Sequence, residues 1–208
     1  MLVIDNTIPG AESLVELAAT KAFTEVVDFY YPGIRAKVPL TYRQYILEKL
    51  GPSIAEYFGR AGDRLHFTAC HFSLVMTPPE KLDYPQRIPH TDSFDGSKLA
   101  FIHYLFKADL GGTAFYRHRK TGFEVVDQAR CAEYLACRDE EKIGPHSAPP
   151  AYINGDTPLY EEVGRQRGVF NRMLVYRRNS LHSGCIAPDF VPDPDPRTGR
   201  LSVTGFLA

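Results

Sequence analysis

The sequence predicts a mainly β protein: a double-sheet jelly roll (a double-stranded β-helix of cupin-like shape) with N-terminal helices packed on one sheet. Three observations predict it. Helical periodicity leads the chain over residues 1–64, and β-branched and aromatic runs dominate from residue 65 onward, with one helical interruption. The segment 98–106, KLAFIHYLF, is apolar at nearly every position. A strand with one wet face would alternate, so this one is expected to be covered on both sides, by the second sheet and by the helices.

Residues 11–30 read as a helix, with Leu14, Leu17, Ala18, Phe23, Val26 and Phe29 on one face. A second helix is predicted over 41–60, capped by Thr41 and striped by Ile46, Leu47, Leu50, Ile54 and Tyr57. Strands are predicted at 65–76, 98–106, 112–118 and 122–126. Gly111-Gly112 reads as a turn before a strand, because a phosphate cradle would need a following helix and a Lys. The stretch 128–168, punctuated by Pro and Gly, reads as a partly helical insertion, with helix at 128–137 and 159–165. Strand character returns at 169–177 and 200–207. The whole, 1–208, is expected to form one domain: 1–64 as helical support and 65–208 as the core.

Composition narrows the function classes. Lys+Arg number 24 against 25 Asp+Glu, and 44% of the 208 residues are hydrophobic. That balance offers no basic footprint for nucleic acid and no charge for a membrane surface. A small-molecule or peptidyl substrate is the expected partner. Cys70, Cys131, Cys137 and Cys185 form no CxxC pair, and are expected as buried or free thiols in a reducing compartment. The N-terminal segment lacks a basic region followed by an apolar run, and no stretch approaches a membrane span. A cytoplasmic location is expected.

The chemistry centres on His90-Thr91-Asp92. Side chains two apart in an extended segment point to one side, so His90 and Asp92 can contact one metal ion. His182, in NSLHSG after a β-like run, is the best third ligand. Two imidazoles and one carboxylate on one octahedral face suit iron(II) and O2 chemistry. Zinc would more often take a closed tetrahedral set or an HExxH helix, and the chain has no HExxH. Such an oxygenase needs two further electrons, which a bound 2-oxo acid supplies by oxidative decarboxylation. Its distal carboxylate needs a cation with a planar fork, and Arg200 opens the last strand. Ser202 lies on the same strand face, and Tyr104 carries a hydroxyl in a buried strand. Arg197 is the rival cation, though its position before Thr198-Gly199 reads as a turn.

The ordered set HTD (90–92), FIHYLF (101–106), GGTAF (111–115), LHSG (181–184) and RLSVTGF (200–206) resembles the iron(II)/2-oxoglutarate-dependent dioxygenase superfamily, most nearly its prolyl-hydroxylase-like group. The resemblance covers about residues 65–208. It implies iron at His90, Asp92 and His182, and Arg200, Ser202 and Tyr104 around the 2-oxoglutarate 5-carboxylate. It also implies O2-dependent hydroxylation with release of succinate and CO2. The chain departs from the pattern at Phe106, where Asn is usual, and in the 18-residue step from His182 to Arg200, lengthened by a Pro-rich loop. Two other readings stay open: a cupin-like metal-dependent lyase or isomerase, and a non-catalytic jelly-roll binding module. The other histidines read as structural. His66 and His71 should pack locally, and His103 should face away from the barrel interior. His118 reads as a solvated hairpin tip, His146 as loop, and Cys185 as a core thiol.

Overall fold

The computed structural model describes residues 1–25 and 30–208. Among these described residues, ten strands form two antiparallel sheets: β1 (Leu2–Ile4), β2 (Thr24–Glu25), β3 (Gly33–Lys37), β4 (Phe67–Val75), β5 (Leu99–Tyr104), β6 (Gly112–His118), β7 (Tyr160–Arg167), β8 (Met173–Arg177), β9 (His182–Cys185) and β10 (Leu201–Leu207). The larger sheet runs β1-β8-β5-β10-β4-β3-β2 and the smaller β7-β6-β9. The protein is a jelly roll, and the short strands β1, β3 and β9 were not separately visible in the sequence pattern.

The pleat explains why 98–106 is apolar throughout. Leu99 and Phe101 join Phe72, Leu74 and Val203 in the cluster that packs against Leu14, Ile46 and Ile54 of the helices. Ala100 and Tyr104, pointing to the opposite face, pack with Leu174 and Tyr176 inside the roll. Fully burying a Leu, Ile or Phe side chain is worth about 1.5–3 kcal/mol, so the helical face contributes a large share of the stability. His103 also points to the helix side. Its Nδ1 lies 3.1 Å from the Tyr42 hydroxyl and its Nε2 3.0 Å from Asn171 Oδ1.

The helices are shorter than the periodicity suggests. Helix α1 spans Ala11–Ala19, not 11–30. Phe23 still packs on the core, but from non-helical backbone, so apolar spacing overstated the helix. Val26 and Phe29 lie outside the described residues. The second helical region divides into α2 (Leu40–Tyr45), a π turn (Ile46–Leu50) and α3 (Gly51–Tyr57). Pro52 has no N–H for the Glu48 carbonyl and its ring crowds that turn. The backbone accommodates it by widening, with the Gly51 N–H reaching back five residues to Ile46 O. Pro39, rather than Thr41, occupies the N-cap.

Between β6 and β7 the chain carries α4 (Cys131–Lys142). The predicted helix at 159–165 is instead strand β7, paired with β6, and 122–126 makes only the isolated Val125–Ser180 bridge. His118 is fully buried rather than solvated, because its Nε2 meets the Glu141 carboxylate of α4 at 2.9 Å and its Nδ1 meets Thr121 Oγ1 at 2.9 Å. Among the described residues, no helix is long and apolar enough to cross a membrane.

Candidate metal centre and cavity

Backbone bonds bring the chemical groups together before any side chain is considered. His90 and His182 form an isolated antiparallel bridge: the His90 N–H donates to His182 O at 2.9 Å and the His182 N–H to His90 O at 3.0 Å. The Asp92 N–H donates to Arg178 O at 2.8 Å, and the Arg178 Nη2 returns a bond to Asp92 O at 2.8 Å. The start of β9 and the extended 90–92 segment are thereby held side by side.

The side chains of His90, Asp92 and His182 converge. One donor atom from each lies within 4.8 Å of the others. His90 Nε2 is 3.8 Å from Asp92 Oδ1, and His182 Nε2 is 3.6 Å from Asp92 Oδ2. His182 Nδ1 lies 3.0 Å from Ser180 O, which can only accept. Nδ1 is therefore the donor, and Nε2 is the ring nitrogen that faces the centre. Burial, helped by the neighbouring His182 and opposed by Asp92, pushes the His90 imidazole down to about 4. It is neutral at pH 7, the form that ligates metal. Tyr30 stacks on the His90 ring with centroids 5.1 Å apart. Two imidazoles and one carboxylate, with no fourth ligand in the group among the described residues, fit an open iron(II) site better than a closed zinc site.

A cavity of about 290 Å³ is lined by these three residues together with Arg200, Thr113 and Tyr31. Arg200 is buried at 4% exposure, its Nε bonded to Leu110 O at 2.9 Å and its Nη2 to Gly112 O at 2.8 Å. Phe106 backs it with its ring centroid 5.5 Å from the guanidinium carbon. Gly184, two residues along β9 from His182, lies beside Arg200, where a Cβ would sit 3.7 Å from Nη2. Arg197 instead lies at the surface, paired with Glu16 at 2.8 Å.

Tyr104 and Ser202 do not line the cavity. The Tyr104 hydroxyl stops at Thr113 Oγ1, 2.7 Å away, so Thr113 presents the hydroxyl to the cavity and Tyr104 stands behind it. Ser202 Oγ turns to Ser73 O at 3.4 Å. Sequence reasoning missed Tyr31. Its hydroxyl is buried in the cavity wall with no partner in hydrogen-bonding geometry. Burial raises its pKa above the ordinary range, with Arg200, Arg35 and the neighbouring Ser73 hydroxyl pulling the other way, so it stays a neutral donor. A buried guanidinium, a buried phenol and a hydroxyl in one wall fit the carboxylate end of a 2-oxo diacid. The signal for Tyr31 was the Pro32-Gly33 turn into a strand, masked by the helix expected over 11–30. His71 also lines the cavity instead of packing only locally, whereas His146 is an exposed loop residue. Cys185 is buried against Ala114 and Tyr116, and burial pushes its thiol up.

The sequence matches the family described as "Family of unknown function (DUF6445)" over residues 1–207. No curated protein matches it. Among solved structures, HygX from Streptomyces hygroscopicus with nickel and 2-oxoglutarate bound is similar over 100% of this chain and 82% of that one, at 9% identity and a TM-score of 0.56. HygX with iron bound is similar over 100% and 81%, at 12% identity and 0.55. The non-heme alpha ketoglutarate dependent epimerase SnoN from nogalamycin biosynthesis is similar over 100% and 76%, at 12% identity and 0.51. These likenesses establish a shared jelly-roll fold.

Proposed function

From the premise that this chain belongs to the DUF6445 family of unknown function, we propose that it is a non-haem iron(II)- and 2-oxoglutarate-dependent oxygenase, hydroxylating a small-molecule or peptidyl substrate with release of succinate and CO2. The observation that carries the reading is the convergence of His90, Asp92 and His182 within 4.8 Å on a cavity that also exposes buried Arg200. The shared fold with proteins described with iron, or with nickel and 2-oxoglutarate, supports it.

His90, Asp92 and His182 would hold the metal, and Arg200, Tyr31 and Thr113 would hold the 5-carboxylate. When bound, iron(II) with 2-oxoglutarate supplies O2 activation and the two electrons it requires. Tyr104 orients Thr113, and the Leu110 and Gly112 carbonyls orient Arg200, so neither donor must reorganise on binding. Ser180 O fixes the His182 ring through Nδ1. Ala100, Ile102, Tyr176 and Phe206 give the cavity apolar walls that exclude bulk water from the centre. A cytoplasmic, reducing setting would keep the four free cysteines as thiols.

Anaerobic titration of the purified chain with iron(II) and 2-oxoglutarate tests the reading. A weak visible charge-transfer band that requires both additions, and is lost in Asp92→Ala, is the expected result. No band, or succinate release that survives Asp92→Ala, would overturn it.

A further inference from the structure

Within the oxygenase reading, the cavity carries more positive charge than metal and co-substrate use. Iron(II) held by one carboxylate, a 2-oxoglutarate dianion and Arg200 together carry no net charge. Arg178 stands outside that balance. It follows β8 and lines the cavity beside Asp92. Its guanidinium carbon lies 3.8 Å from the Phe206 ring centroid, and Phe206 lines the same cavity. One donor, Nη2, is used on Asp92 O, while Nε is buried without a hydrogen-bond partner. Among the described residues, no carboxylate forms an ion pair with it. A guanidinium offers five donors in a planar fork, and leaving a buried one unmet costs free energy. Held against a ring and partly withdrawn from water, this fork is set for a second anion. The adjoining hollow, which shares Tyr30, His90 and Thr91 with the cavity, adds Lys142 to the same region.

We propose that the prime substrate carries a carboxylate, and that Arg178, stacked on Phe206, binds it. The anion would then anchor the substrate on the Asp92 side of the centre. The inference rests on the oxygenase reading and names the substrate class for it. The carboxylate can be that of a free acid or a peptide side chain, and the probes separate the two.

The experiment uses the full chain loaded with nickel(II) and saturated with 2-oxoglutarate, so that turnover is blocked and the Arg200 end is filled. Calorimetry then follows N-acetylleucine, its primary amide, and acetyl-Leu-Asp-amide, whose carboxylate is a side chain. At least one carboxylate should bind tenfold or more tightly than N-acetylleucinamide, with the preferred probe identifying the source. Added salt should weaken that binding. Arg178→Gln should abolish the preference, and Arg178→Lys, which keeps charge without the fork, should retain part of it. Nickel and 2-oxoglutarate saturation is established for each variant before the probes are added. The proposal is overturned if acid and amide bind alike, if no probe binds, or if Arg178→Gln keeps the preference. It is overturned too if both variants lose nickel, since Arg178 would then serve only to clasp Asp92. Failure of the wild-type chain to take up nickel and 2-oxoglutarate would sink the oxygenase reading first, and is read separately in the initial titration.

Discussion

Arg197 and Arg200 stand three positions apart and meet opposite surroundings. Arg197 is solvated and paired with Glu16, whereas Arg200 is enclosed and held by two backbone carbonyls. Hydrogen bonds to charged groups are worth about 1.5–3 kcal/mol, so Arg200→Gln should weaken 2-oxoglutarate binding by roughly 10- to 100-fold. Arg197→Gln should leave it within about twofold, since exposed pairs contribute little. Calorimetry on the nickel-loaded protein checks both. His103 supplies a pH effect. Burial holds its imidazole down to about 4 from 6.5, with the Asn171 bond opposing. Between those values the unfolded chain takes a proton that the folded state refuses. Its contribution to stability is therefore complete above pH 6.5 and is lost as pH falls toward 4. The loss is on the order of 3 kcal/mol. His103→Gln should flatten that part of the denaturation-versus-pH profile, and an unchanged slope in urea melts would contradict the assignment.

Helix α4 is tied to β6 through the enclosed His118–Glu141 contact. Glu141→Leu leaves His118 Nε2 without its acceptor and should cost about 1–3 kcal/mol. Hydrogen exchange should then rise across α4 while the larger sheet stays protected. How much of this was legible depends on what each element packs against. The strands at 98–106, 112–118 and 200–207 showed in the sequence because burial selects β-branched and aromatic residues there. Strand β7 did not show. Its Glu and Arg residues, spaced as on a solvated helix, instead blunt a sheet edge that pairs only with β6. His118, set among charged neighbours, looked solvated because its partner lies 23 residues away. At the centre, the convergence of His90, Asp92 and His182 was legible from residue type and strand placement, and the enclosure of Arg200 from its position on the last strand. Which hydroxyls reach the cavity was not. That depends on Tyr104 meeting Thr113 first and on Tyr31 lying beyond a helix that ends early.

For the molecule as a whole, the last strand is the middle of the larger sheet. β10 pairs with β4 on one side and β5 on the other, and at Gly205 a Cβ would stand 2.3 Å from the Ala69 carbonyl oxygen. Deleting 201–208 should expose two strand edges at once and abolish the cooperative fold, seen as loss of the far-UV dichroism melt and as aggregation. Deleting 1–4 removes only the edge strand β1 and should lower Tm by a few degrees while 2-oxoglutarate binding persists. The paired main-chain bonds between His90 and His182 have a consequence at the same scale. Because the polypeptide itself stitches the two imidazoles together, a bound metal ion would be a tenant rather than a keystone. A chelator should strip it without unravelling the barrel, and the vacated socket should refill reversibly with a different divalent ion.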